Sequence, residues 1–156
     1  MDIRRLTTQD APLLVEATSK ETGRALWDRH PAGPYTLADA NTVLRKWIDD
    51  DQSFGIFENN HLVAAVGLMP DGEASAELAY WVRPESRGRG LATKALRHVT
   101  EWAHDNGFHH LWLEIRPDNK ASQRVAERAG FTYEQHIPNH CDTHDCLIWV
   151  HHPQPQ

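Results

Sequence analysis

The chain has 156 residues, 40% of them hydrophobic and 24% charged, a composition suited to one globular domain around one core. No apolar run approaches the roughly 20 residues of a membrane span, and the start, Met1-Asp2-Ile3-Arg4-Arg5-Leu6, lacks the apolar stretch of a secretory signal. A formal net charge of -6 argues against coating nucleic acid, which needs a basic face to release counterions.

In chain order, Ile3 to Leu6 reads as a short first strand. Thr8 is placed to cap a helix from about Gln9 to Thr22, with Leu13, Leu14 and Ala17 on its buried face. Trp27 to Tyr35 holds Pro31, Gly33 and Pro34 and reads as a loop. Ala40, Val43, Leu44, Trp47 and Ile48 follow helical spacing, which predicts a second helix over Leu37 to Asp49. Phe54 to Phe57, the turn Glu58-Asn59-Asn60 and His61 to Leu68 predict a hairpin. A turn at Pro70-Asp71-Gly72 precedes a strand over Ser75 to Val82.

After Gly90, the positions Ala92, Ala95, Leu96, Val99, Trp102 and Ala103 define a helix that stops at Asn106-Gly107. His110 to Arg116 is the next strand, and Asn119 to Ala129 a helix closed by Gly130. Two strands follow, Thr132 to Pro138 and Asp145 to His151. The domain is expected over residues 1–151, with 152–156 a frayed tail. The layout is α/β in the α+β sense: a mixed, mainly antiparallel sheet with helices on its faces.

The sharpest local signal is Arg87-Gly88-Arg89-Gly90-Leu91-Ala92-Thr93. Pro84 stops a strand, two glycines let backbone approach a ligand closely, and a helix opens. First-turn amides and the helix dipole favour an anion there. Arg87 and Arg89 add charge and Thr93 a hydroxyl, although two solvated arginines in an ordinary turn would look the same. The pattern lacks the Gly-Lys-Ser/Thr of a Walker A loop and the three-glycine spacing of a dinucleotide fold.

Arg87-x-x-Gly90-x-Ala92 resembles the Q/R-x-x-G-x-G/A signature of the GNAT N-acetyltransferase superfamily. Ala76 to Val82 is similar to the fourth strand of its RimJ/RimL branch. Arg116-Pro117-Asp118-Asn119-Lys120-Ala121-Ser122 leading to Ala129-Gly130-Phe131 resembles that branch's second signature. The resemblance covers nearly the whole chain in order. It implies a GNAT-like sheet splayed between its fourth and fifth strands, with helices on both faces. It implies acetyl-CoA, or another acyl-CoA, as co-substrate, and direct transfer to an amine in one ternary complex. Backbone at Tyr80, Trp81 and Val82 would pair with the pantetheine arm. The amides from Gly88 to Thr93 would hold the pyrophosphate, and Asn119 and Ser122 would meet the arm from the other side.

The amine must lose a proton to attack, and the departing thiolate is helped by gaining one. Glu77 matches the acidic residue that the branch carries on this strand. Glu114 resembles the base position of a RimI-like branch and ranks second. Either could equally be a sheet carboxylate paired with a cation such as Arg116. Many GNAT enzymes donate a proton from a Tyr on the helix after the second signature, where this chain has Val125 and Ala126. Ser122 is the first candidate in its place, with a cap or coenzyme contact as its alternative role. Trp27, His30 and Tyr35 are the candidate acceptor-site residues, since loops at that place in the fold set substrate choice.

No metal is expected. His140, Cys141, His144 and Cys146 are zinc-type ligands, but their spacing resembles no zinc module. Two cysteines give no disulfide framework, and a reducing cytoplasm is the simpler setting. The acceptor is expected to be a small amine or a protein N-terminus, and the protein a monomer or homodimer without a membrane partner. An acyl-tRNA donor, the one nucleic acid considered, and a non-catalytic coenzyme-binding module remain the competing readings.

Overall fold

Seven alternating segments build the sheet: β1 (Asp2–Arg5), β2 (Gln52–Glu58), β3 (His61–Gly72), β4 (Ser75–Val82), β5 (His110–Ile115), β6 (Thr132–Cys141) and β7 (His144–His151). The computed structural model describes residues 2–21, 34–49, 52–141 and 144–153, with backbone alone at 139–141 and 144. Strand order is β1-β2-β3-β4-β5-β7-β6. Among the described residues, β4 and β5 pair in parallel and the other ladders are antiparallel. A parallel pair needs a long crossover, which helix α3 (Leu91–Asp105) supplies.

Side-chain alternation along each strand splits the interior between two faces. On one face Leu96 and Val99 of α3, and Ala126 of α4 (Lys120–Arg128), meet Val66, Leu78, Leu111 and Leu113 from the strands. On the other, Leu14 of α1 (Ala11–Ala17) and Leu44 and Trp47 of α2 (Leu37–Asp49) meet Leu62, Ala65 and Trp81. Helices on both faces and a mixed, mainly antiparallel sheet match the architecture expected from the sequence.

Three local details differ. The first cap is Thr7, whose side chain accepts from the Gln9 amide at 3.3 Å. Thr7 wins over Thr8 because Asp10, three residues on, returns the bond by accepting from the Thr7 amide at 2.7 Å. Burial opposes the charge on Asp10, but bonds from Arg4 and Thr7 outweigh it and hold the carboxyl below its ordinary value. Helix α1 also ends early, at Ala17, where the Thr18 hydroxyl donates back to the Leu14 carbonyl at 2.9 Å. Finally, β3 runs through the expected turn at Pro70 to Gly72, and the reversal falls on Glu73 and Ala74, with Ala74 at φ 60°. The Ala74 carbonyl then accepts from the His109 and His110 amides at 2.8 and 3.0 Å, which anchors the start of β5. The Asn59-Asn60 turn is as expected, both residues left-handed, which suits the twist of a two-residue hairpin.

His110 opens β5 and His151 closes β7, at the strand bounds expected from the sequence. His104 of α3 places Nε2 2.8 Å from His151 Nδ1, and its Nδ1 2.8 Å from the Phe108 carbonyl. Burial, then the neighbouring His104 and His152, push the His151 pKa below 6.5. The unfolded chain therefore takes up a proton here before the folded one does. Stability from this group is complete above pH 6.5 and declines as pH falls through 6.5 toward the depressed folded value. Denaturant titrations of wild type and His151→Gln between about pH 5 and 8 should show a shallower acid slope in the variant.

Candidate functional site

The β4–β5 ladder is short. It pairs Ser75 with His110, Ala76 with Leu111 and Glu77 with Trp112, and ends there. Beyond Glu77 the two strands diverge, while β4 stays paired to β3 through Val82. The backbone of Leu78 to Val82 thus borders a slot on its β5 side, as the splay expected from the sequence requires.

At the end of β4 a short 3₁₀ turn, Pro84–Ser86, leads into the glycine turn. Gly88 and Gly90 adopt φ +82° and +76°, and a Cβ at either would meet nothing within 4 Å. The glycines serve backbone conformation rather than packing, and they leave open space above the start of α3. Gly90 is the helix N-cap and offers no side-chain bond, so the first-turn amides lack a side-chain cap from that residue. An anion satisfies such amides well. Leu91 is buried in the core, whereas Ala92 and Thr93 are half-buried at the mouth.

The two arginine charges are committed to carboxylates. Arg87 donates to the Val82 carbonyl at 2.9 Å and to Glu21 Oε2 at 2.7 Å. The same Glu21 oxygen accepts from Trp81 Nε1 at 2.7 Å. Arg89 makes a bidentate pair with Glu58 at 3.0 and 2.9 Å. That bond holds the Glu58 carboxyl below its ordinary value. Sequence reasoning gave Arg87 and Arg89 as positive charge for a phosphate and missed both acidic partners. Glu21 and Glu58 are distant in sequence from the turn, and no local pattern marks them.

Asn119 and Ser122 come together at the start of α4. The Asn119 side-chain oxygen accepts from the Ser122 amide at 3.1 Å and caps the helix. Ser122 Oγ in turn accepts from the Tyr80 hydroxyl at 2.7 Å. Burial pushes the Tyr80 phenol up to about 12, with the Ser122 bond pulling the other way. Tyr80 therefore brings a hydroxyl as well as backbone to the site, a role the sequence reading did not give it.

Alternation sends Tyr80 and Val82 to the α3/α4 face and Trp81 to the α1/α2 face. Glu77 lies on the Trp81 face, buried at 8% exposure. Leu111, Leu113 and Ile115 of β5 face α3/α4, so Trp112 and Glu114 share the Glu77 face. The candidate bases and the Tyr80–Ser122 pair thus lie on opposite faces, with the slot between them. Of the acceptor candidates, Trp27 and His30 fall outside the described residues. Tyr35 is buried among α1 and α2 side chains, and its amide donates to Thr18 Oγ1 at 3.1 Å. Its hydroxyl has no hydrogen-bond partner among the described residues, and burial, then Asp39, raises its pKa.

Of the zinc-type set, only the Cys146 side chain lies within the described structure. It is buried and disulfide-bonded, which takes its sulfur out of a ligand set. This corrects the sequence reading, which expected no disulfide framework. Among the described residues no three His, Cys, Asp or Glu groups are placed to hold a metal.

A parallel strand pair that splays beside a helix-opening glycine turn is the framework of a GNAT-type fold. Residues 1–132 match the family described as "Acetyltransferase (GNAT) domain", and the chain belongs to that family. It is 32% identical over 92 residues to YjcK of Bacillus subtilis (strain 168), described as a probable N-acetyltransferase, covering 55% of this chain and 51% of that protein. It is 35% identical over 96 residues to a streptothricin acetyltransferase of Streptomyces lavendulae, covering 54% and 51%. The chain thus spans about half the length of these curated relatives. Its fold matches RimL, a ribosomal L7/L12 alpha-N-protein acetyltransferase solved with coenzyme A, at TM-score 0.81 and 18% identity over 96% of this chain and 92% of that one.

Proposed function

We propose that this chain moves an acetyl group from acetyl-CoA to a primary amine by direct transfer in a ternary complex. The observation that carries this is the open amide turn at Gly88 to Thr93, set at the mouth of the β4–β5 slot. The turn suits the pyrophosphate. The unpaired edge at Tyr80, Trp81 and Val82 suits the amide-bearing pantetheine arm, with Asn119 and Ser122 across from it. Glu77, or second Glu114, takes the proton from the amine on the α1/α2 face. Ser122 donates toward the departing sulfur on the opposite face. For the acceptor, a small amine or a protein N-terminus as in the RimJ/RimL branch, Trp27, His30 and Tyr35 remain the candidate contacts. We place such a reaction in the cytoplasm, the compartment expected from the sequence.

Calorimetry with coenzyme A should show one site per chain, with a dissociation constant between about 1 µM and 1 mM. Acetyl-CoA offered with a panel of amines and N-terminal peptides should release free thiol only with an acceptor. No heat and no thermal shift at millimolar coenzyme would overturn the coenzyme assignment. Binding without turnover on any amine would turn the reading toward a coenzyme-binding module.

A further inference from the structure

The helix that follows the second signature has no tyrosine, yet a tyrosine hydroxyl from elsewhere in the chain reaches its first turn. It comes from β4: Tyr80 Oη lies 2.7 Å from Ser122 Oγ and 3.4 Å from the Ser122 carbonyl oxygen. We propose that Tyr80 is a positioning residue for the leaving-group step, holding the Ser122 hydroxyl so that its hydrogen faces the coenzyme sulfur. The proposal rests on the reading of Ser122 as the group that serves that sulfur.

A serine hydroxyl has one hydrogen and two acceptor sites, and it rotates unless something fixes it. The Tyr80 hydrogen occupies one acceptor site, so the serine hydrogen cannot lie in the same gap. The Ser122 amide is fixed as well, by Asn119. Cap and phenol together leave the serine hydrogen to point away from Tyr80. A chain of two hydroxyls also polarises the outer one, which strengthens its donation.

The order of acidities assigns the roles. With its pKa pushed up to about 12, the Tyr80 phenol stays protonated at any working pH and remains a donor. An ordinary thiol ionises near 8.5, well below that value, so the phenol does not protonate a thiolate outright. In the transfer step the amine nitrogen bonds to the acetyl carbon and the carbon–sulfur bond breaks with its electron pair on sulfur. The Ser122 hydroxyl donates a hydrogen bond to the sulfur as that charge appears. The proton lost by the amine passes through the base to solvent, and solvent returns one to the sulfur.

The test is a double-mutant cycle on single-turnover transfer at saturating acetyl-CoA and acceptor, with Tyr80→Phe, Ser122→Ala and both together. Coenzyme dissociation constants and melting curves are measured for each variant. Phenylalanine keeps the ring that packs on the core and removes only the hydroxyl. Tyr80→Phe should lower the transfer rate about tenfold, the scale of one hydrogen bond, with coenzyme affinity unchanged within about twofold. The double variant should be no slower than Ser122→Ala alone, because Tyr80 acts through Ser122. If Ser122→Ala is slow but Tyr80→Phe keeps the wild-type rate, the positioning role is refuted and the Ser122 reading survives. If Tyr80→Phe costs the same factor in the Ser122→Ala background, the two act independently and the proposal fails. A full rate in Ser122→Ala itself would overturn the donor reading and the proposal with it.

Discussion

Gly90→Asp is expected to weaken coenzyme A binding by at least about a hundredfold while the domain stays folded. A carboxylate at the helix N-cap would stand within a few ångströms of the bound pyrophosphate. Two unit charges 4 Å apart at an effective dielectric near 20 repel by about 4 kcal/mol, and solvent screening reduces this to a factor of about 10²–10³ in affinity. The fold has little reason to object. Nothing lies within 4 Å of a Cβ at Gly90. Its left-handed φ of +76° does penalise side chains, but Asp is among the residues that adopt that region most readily. Gly90→Ala separates the effects: it carries the strain without the charge and should lose far less affinity. Calorimetry beside a thermal melt checks both variants. Wild-type affinity in a well-folded Gly90→Asp protein would show that the phosphate lies elsewhere.

Elements with a repeating pattern were legible in the sequence. Helix α2 occupies Leu37–Asp49, as its apolar spacing predicts, and α3 opens at Leu91 directly after the glycine turn. The differences occur where a side chain competes with the backbone rule. Thr7 and Asp10 share a cap that displaces Thr8, and Thr18 folds back on Leu14 to end α1. Pro70 is a strong turn signal, yet it pairs opposite Ala76 beside a ladder irregularity, where its missing N–H does less harm.

The site divides the same way. The turn and the splayed strands are continuous stretches of backbone, so local sequence announces them. Charge neutralisation is a matter of tertiary proximity. Glu21 reaches Arg87 and Trp81 across the end of α1, and Glu58 reaches Arg89 from the β2–β3 hairpin. With both arginines paired in this way, the proposed coenzyme site relies on the backbone amides more than two free guanidinium groups would suggest. The Tyr80–Ser122 bond joins residues 42 positions apart. It follows from β4 and α4 sharing one face, a fact visible only once the sheet order is known.

Glu77→Gln is expected to lower turnover by about 10²–10⁴, the range of general-base catalysis, with coenzyme affinity nearly unchanged. Glutamine preserves the size of the side chain and much of its hydrogen bonding but cannot take a proton. The position supports the role. Glu77 is the last residue of β4 paired to β5, so it sits where the slot opens. It lies on the face of α1 and α2, opposite Tyr80 and Ser122, so an amine held there has the base on its own side of the thioester. Near burial, at 8% exposure, limits competition from bulk water for the carboxylate. Glu114 shares that face on β5, and Glu114→Gln is expected to cost less. The wild-type rate should fall with acid, because both amine and base must be deprotonated to react. The acidic limb of kcat/KM should change shape in Glu77→Gln if this carboxylate defines it. A near-normal rate in Glu77→Gln beside a large loss in Glu114→Gln would exchange their roles. Small losses in both would mean that the amine gives its proton to solvent before it attacks.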